Sequence, residues 1–115
     1  MLPRQAEQIA EVIRHWHRLS DLAAFAAKRH GFGDDNGGFG VIYPGDLDEH
    51  AREVEGVHIP DGHVELYGFW GAPKGGYDFV VEETSYLTVL ERVLRAERLV
   101  AEADAVQHLI GSQHD

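Results

Sequence analysis

The chain has no cysteine among its 115 residues, which excludes disulfide bonds and thiolate ligation of zinc. Long apolar runs are also missing: the longest strictly apolar stretch, residues 22–27, is far shorter than the roughly 20 residues that cross a bilayer. Residues 1–7 lack the basic and then apolar order of a secretory signal peptide. We therefore expect one cytoplasmic domain over residues 1–115, in which the 43% of apolar residues suffice for a single core.

Recognisable catalytic and cofactor motifs are lacking as well. With three serines and two threonines, the chain contains no G-x-S-x-G elbow. The glycine-rich stretch after residue 30 has Asn36 where a dinucleotide-binding loop needs a glycine, and Lys74 is not set in a phosphate-binding loop. A calcium loop starting at Asp34 would have Phe39 and Gly45 where glycine and glutamate are required. We predict no catalytic residue and no cofactor.

What the sequence does have is negative charge concentrated in its middle. Residues 34–83 hold twelve Asp and Glu against Arg52 and Lys74, a net charge of −10, whereas residues 1–29 have a net charge of +2. The same middle stretch carries most of the aromatic side chains: Phe39, Tyr43, Tyr67, Phe69, Trp70, Tyr77 and Phe79. An acidic, aromatic surface is typical of docking to a basic protein and disfavours nucleic acid or anionic lipid as a partner. The alternative is that the charge serves solubility alone.

Hydrophobic periodicity predicts an α+β fold with helices at both ends. Apolar residues spaced three and four apart indicate a helix over residues 3–29, with Gly31 as its stop and Ser20–Asp21 as the place of a kink or split. A second helical pattern begins after Thr84 or Ser85. Its phase shifts near Ala96, which predicts either two helices or one bent helix.

Strands are predicted between these helices, at residues 39–43, 64–70 and 77–82, with residues 54–59 extended. Residues 30–38 are predicted to form a loop, and residues 46–52 suit either a helical turn or a strand. The turn at Pro60-Asp61-Gly62 and the other short connections favour an antiparallel meander of three or four strands. We expect the helices to pack on one face of this sheet.

The two-residue period of the strands assigns their side chains to faces. The side to be buried under the helices carries Val64, Leu66, Trp70, Tyr77, Phe79 and Val81. The opposite side is a partner surface of rings fringed by carboxylates, extended by the acids of residues 46–55. The predicted partner-binding residues are Asp46, Asp48, Glu49, Glu53, Glu55, Glu65, Tyr67, Phe69, Asp78 and Glu82. A bulge at Gly68 would turn the side chains that follow it to the opposite face of the sheet. Alternatively, loops or a second copy of the chain cover Tyr67 and Phe69.

Two other functions remain open from the residues. His58 and His63 flank the turn at residues 60–62, so that across a hairpin they, with Asp61 or Glu65, would form a zinc or iron site. Exposed polar side chains on a hairpin are the alternative reading of the same residues. A structural or regulatory homodimer that buries the aromatic side is the other function.

The run Tyr67-Gly68-Phe69-Trp70-Gly71, followed by Gly76-Tyr77-Asp78, Val81, Glu83, Tyr86-Leu87 and Leu90, resembles small bacterial immunity proteins of polymorphic or contact-dependent toxin systems. The likeness covers roughly residues 56–94. It implies a cytoplasmic protein that binds one cognate toxin domain and blocks its active site. Such toxin domains are often basic nucleases, whose phosphate substrate the negative charge of this chain would mimic.

Overall fold

The computed structural model describes residues 2–34, 36–48, 53, 56, 58–70 and 76–113. Over these residues the chain has an α+β fold, with helices at both ends and an antiparallel sheet between them, as the sequence predicts. The elements are α1 (Pro3–Arg14), α2 (Ser20–Ala27), β1 (Phe32–Asp34), β2 (Phe39–Ile42), a 3-10 helix (Pro44–Asp46), β3 (His63–Gly68), β4 (Tyr77–Glu82), α3 (Glu83–Ala96) and α4 (Val100–Ser112).

The N-terminal helical pattern is split into two helices. The break at residues 15–19 lies just before the predicted place of the split, and Leu19 is the residue that precedes α2. The predicted stop at Gly31 is wrong, because α2 ends at Ala27 and Arg29 takes the left-handed conformation, φ 51°, that closes the helix. The amide of His30 then donates to the carbonyl of Phe25, which completes this helix end.

A strand that the sequence analysis assigned to a loop, β1, forms one edge of the sheet. The strand order is β1-β2-β3-β4 with antiparallel pairing throughout. Phe32 faces Val41 across the first pair, and its side chain is buried. Glycines on both sides of Phe32 hide the strand pattern in the sequence, and pairing with β2 supplies the strand geometry instead.

One face of the sheet is covered by helices. Helix α1 packs on β2 and β3, α3 packs on β3 and β4, and α4 packs on α2 and α3. The covered face is built from alternate residues of the strands and from the apolar stripes of α1 and α3. Its fully buried side chains include Ile9, Val12, Ile13, Val41, Val64, Leu66, Leu87, Leu90 and Leu94.

The C-terminal pattern forms two helices, which is one of the two predicted arrangements. Helix α3 begins at Glu83, one residue earlier than the first predicted cap, and its preceding residue is Glu82. It ends at Ala96, and Arg98 adopts φ 63° before α4 begins. The phase shift in the apolar pattern therefore marks a real break, and α4 returns along α3 with Ala103 and Val106 buried.

The turn predicted at residues 60–62 is present, but it does not connect two paired strands. The amide of His63 donates to the carbonyl of Pro60 at 3.1 Å, and Gly62 has φ 76°. Strand β3 pairs with β2 and β4, while His58 belongs to no strand, so the hairpin that would bring His58 opposite His63 is wrong. Half of the extended segment predicted at 54–59 and residues 49–52 of the ambiguous segment at 46–52 lie outside the described residues.

None of the helices in the described ranges is long and apolar enough to cross a membrane.

Candidate functional site

The side of the sheet that faces away from the helices forms the candidate site. We call it the outer sheet face. The pairing of β2, β3 and β4 is regular through Gly68, so the bulge considered at that residue does not form. The predicted alternation therefore holds along β3 and β4. The outer sheet face consists of Ile42, His63, Glu65, Tyr67, Phe69, Asp78, Val80 and Glu82.

Two apolar side chains on this face are exposed to solvent. Phe69, just after β3, is 42% exposed, and Val80 on β4 is 41% exposed. The ring of Phe69 lies 5.9 Å from that of Tyr67. Val80 lies apart from this pair of rings, because it is opposite Glu65. Neither ring is sealed inside the chain.

Tyr67 lies flat across the neighbouring strands. Its hydroxyl is 2.7 Å from the position that a Cβ on Gly40 would occupy and 2.9 Å from the corresponding position on Gly33. The glycines of β1 and β2 thus leave the space that the Tyr67 ring fills, and the ring is half-buried as a result. No side chain projects from the outer sheet face at Gly33 and Gly40. The aromatic side chain that projects from this face is Phe69.

Two carboxyl groups meet in the middle of this face. Glu65 is opposite Ile42 on one side and Val80 on the other, so apolar side chains flank it across three strands. Asp78 lies diagonally from it on β4. Partial burial raises the pKa of Glu65, and the charge of Asp78 and a hydrogen bond with it raise that pKa further. The centre of the face therefore holds a carboxyl pair that gains from a nearby cation.

Asp46, a predicted partner-binding residue, has a structural position instead of lying on the sheet. Its Oδ2 accepts the amides of Gly31 at 2.9 Å and Tyr43 at 2.8 Å, and its Oδ1 lies 3.3 Å from Nδ1 of His30. The carboxylate thereby holds the start of β1 against the 3-10 helix. Asp48 and Glu53 are exposed in the connection between β2 and β3. Glu49 and Glu55 lie outside the described residues.

The proposed metal ligands are not assembled in the part of the chain that the structure describes. No three His, Cys, Asp or Glu side chains there are placed to hold one ion. His63 lies opposite Glu82, and its Nδ1 is 3.0 Å from the carbonyl oxygen of Asp61. His58 is exposed on the preceding segment.

A cleft of about 680 Å³ opens at the end of the sheet where β3 begins and β4 ends. It lies between the end of α2, the 3-10 helix, the turn at residues 60–62 and the start of α3. His63 lines it and also belongs to the outer sheet face, so the two surfaces adjoin. We call this the terminal cleft. Its lining includes Arg29, Tyr43 and Glu83.

Glu83 is the buried charge of the described chain, with 3% of its surface exposed. Its Oε2 lies 3.4 Å from Nε of Arg29, whose side chain is 66% exposed. The sequence analysis did not single out either residue as part of a site. An acid in the first turn of a helix is ordinary in a sequence, and nothing local shows that this one is covered by a distant helix end.

Comparisons with protein-family models, with curated proteins and with solved structures gave no match to this chain.

Proposed function

We propose that this protein is an immunity or inhibitor protein that binds a cognate basic toxin domain in the cytoplasm through its outer sheet face. The observation that carries the proposal is the uncovered side of the sheet, where Phe69 and Val80 are exposed beside the carboxylates of Glu65, Asp78 and Glu82. Binding would block the toxin's active site without turnover.

The energetics of docking favour this face over the rest of the surface. Aromatic side chains, phenylalanine included, are enriched at the core of protein interfaces relative to the rest of the surface. Phe69 is such a side chain, and its neighbour Tyr67 is already fixed by packing over Gly40, so little conformational entropy is lost when it is covered.

The charges of the face select a basic partner. Partial burial is the first cause of the raised pKa of Glu65 and the charge of Asp78 is the second, so the two carboxyl groups repel one another when both are ionised. A lysine or arginine placed beside them relieves that repulsion, whereas a partner carboxylate adds to it. The excess of acids in residues 34–83 gives the chain a field that attracts a basic domain from a distance.

A co-expression experiment tests the proposal. The product of the gene that neighbours the coding sequence is expressed with and without this protein, and growth is scored. We expect rescue by the natural protein and loss of rescue by Asp78→Lys combined with Glu82→Lys. The matched control, Glu7→Lys with Asp104→Lys, changes the net charge equally at exposed positions of α1 and α4 and should rescue.

Rate measurements on the purified proteins distinguish long-range electrostatic attraction from direct contact at the outer sheet face. The association rate of the natural protein with the toxin domain should fall as ionic strength rises, and the sheet variant should associate more slowly than the control variant. Equal rates for the two variants would contradict docking at this face. A chain that sediments as a dimer with Phe69 protected from solvent would show that a second copy covers the face instead.

A further inference from the structure

The terminal cleft contains a carboxylate whose burial is unusual for an acidic side chain. The side chain of Glu83 is 4% exposed, and its counter-ion, Arg29, touches it only through Nε at 3.4 Å. A buried carboxylate gains most from two parallel hydrogen bonds with one guanidinium group, and Arg29 does not supply that geometry. The cleft therefore holds a buried carboxylate whose ion pair with Arg29 is long, at 3.4 Å.

A second polar group beside the cleft has no hydrogen-bond partner within the part of the chain that the structure describes. The hydroxyl of Tyr43 is buried and makes no hydrogen bond. The residue as a whole is 2% exposed, and it lines the cleft. Burial raises the pKa of Tyr43, and the negative charge of Glu83 is the next largest cause. Tyr43 and Glu83 both line the cleft, and the Tyr43 hydroxyl makes no hydrogen bond with the carboxylate. Buried polar groups in folded proteins are normally paired, so the unpaired hydroxyl keeps its full capacity for a hydrogen bond.

We propose that the terminal cleft binds the guanidinium group of an arginine side chain from the partner, which displaces Arg29 and pairs with Glu83 and the hydroxyl of Tyr43. The inference rests on the proposed function for the identity of the partner. Guanidinium has five donors in a planar fork, enough for both carboxylate oxygens and the phenol oxygen. Arg29 already places a guanidinium group 3.4 Å from Glu83, with 66% of its side chain exposed at the edge of the cleft.

The exchange of one guanidinium group for another leaves Glu83 with a counter-ion before and after binding. Glu83 is already desolvated in the free protein, so the binding step does not include the cost of burying it. The carboxylates that line the cleft are Asp46, Asp61 and Glu83, so they outnumber the cations Lys28 and Arg29. Because His63 belongs to both surfaces, a partner seated on the outer sheet face reaches the cleft.

The test uses the full chain and N-acetyl-L-arginine amide as the probe. Titration followed by amide NMR should shift the resonances of residues around the turn at 60–62 and the start of α3, with weak, millimolar-range affinity. N-acetyl-L-citrulline amide has the same shape without the charge and should not bind. The lysine analogue should bind more weakly, because its ammonium group cannot form two parallel bonds with one carboxylate.

Variants distinguish a built site from general charge attraction. Glu83→Gln should weaken binding of the arginine probe by about tenfold or more. Tyr43→Phe should weaken it severalfold while the fold stays intact, and Arg29→Gly should tighten it because the competing group is gone. The exposed control, Glu7→Gln, should leave the affinity unchanged. If Glu83→Gln does not fold, the opposite effects of the other two variants decide the matter.

Binding of citrulline and arginine probes with equal affinity, or shifts confined to other surfaces, would overturn this inference whether or not the proposed function holds. The reverse case is also distinguishable. A probe that binds here while the charge reversal at Asp78 and Glu82 leaves toxin rescue intact would refute docking on the sheet and keep the arginine site.

Discussion

The carboxyl groups of Glu65 and Asp78 lie on adjacent strands of the sheet, and the pKa of Glu65 is raised by partial burial first and by Asp78 second. Their closeness is imposed by the register, since Glu65 stands opposite Val80 and Asp78 opposite Tyr67. A carboxyl pair of this kind destabilises the free protein when both groups are ionised. The stability of the fold therefore depends on the ionisation of side chains on the outer sheet face.

The first prediction concerns this pair and pH. Because its pKa is higher in the folded state, Glu65 binds more protons folded than unfolded, so its contribution to stability is present in acid and is lost as pH rises through the folded pKa. Glu65→Gln removes the ionisation. We expect it to be more stable than the natural protein at pH 7, by a few tenths to about 1 kcal/mol for a partly exposed pair.

The measurement is the free energy of unfolding in urea at a series of pH values. The advantage of Glu65→Gln should shrink as the pH is lowered below the folded pKa of Glu65. The control Glu7→Gln removes one negative charge away from Asp78 and corrects for the change in net charge. A constant difference between Glu65→Gln and the natural protein at all pH values would contradict the coupling.

The second prediction concerns the space under Tyr67. A Cβ on Gly40 would meet the carbonyl oxygen of Phe32 and the hydroxyl of Tyr67, both at 2.7 Å. Gly40→Ala should therefore destabilise the protein by about 1–3 kcal/mol, the usual range for overpacking. Gly45→Ala is the control, because no atom lies within 4 Å of a Cβ there. In a Tyr67→Ala background, the cost of Gly40→Ala should fall, and an unchanged cost would show that Tyr67 does not occupy this space.

The sequence predicts those parts of the fold in which the spacing of apolar residues matches the face that is buried in the structure. Strand β4 has its predicted bounds, and the alternation of Val64 and Leu66 with Glu65 and Tyr67 assigns the two faces of β3 correctly. The step from Leu94 to Leu99 locates the break between α3 and α4. In these segments the local pattern and the global core require the same residues to be buried.

The parts that the sequence does not show depend on partners distant in the chain. Strand β1 forms because Phe32 pairs with Val41 of β2. A strand of three residues, one of them a glycine, is too short to show an alternating pattern in the sequence. Asp46 has a structural role because its carboxylate accepts hydrogen bonds from two backbone amides. The amide of Gly31 is 15 residues away in the sequence, so this contact is not evident before the chain folds. The burial of Glu83 requires the end of α2, so the terminal cleft could not be found from spacing.

The third prediction concerns the unpaired hydroxyl of Tyr43. A buried polar group without a hydrogen bond costs about 1–3 kcal/mol, and phenylalanine has the same ring without that group. We expect Tyr43→Phe to raise the free energy of unfolding in the absence of any ligand. Tyr86→Phe is a second buried tyrosine substitution for comparison, since the hydroxyl of Tyr86 is not among the unpaired buried groups. It should destabilise the protein, and a gain from both substitutions would show that hydroxyl burial in general is the cause.

The fourth prediction compares two arginines that occupy equivalent helix ends. Arg29 after α2 and Arg98 after α3 both have left-handed backbones, with φ 51° and 63°. Glycine relieves the steric cost of that conformation, which is about 1–2 kcal/mol for other residues, although its greater freedom in the unfolded chain offsets part of the gain. Arg98→Gly should therefore stabilise the protein slightly.

Arg29→Gly gains the same backbone relief but leaves the buried carboxylate of Glu83 without its counter-ion. Removing one partner of a buried ion pair is strongly destabilising, so we expect Arg29→Gly to be less stable than Arg98→Gly by about 1–3 kcal/mol in urea unfolding. Adding Glu83→Gln to each variant should reduce that difference, because the charge that Arg29 neutralises is then absent. If the two glycine variants have equal stability, Arg29 contributes nothing to Glu83 in the free protein, and its displacement by an incoming guanidinium group would be without cost.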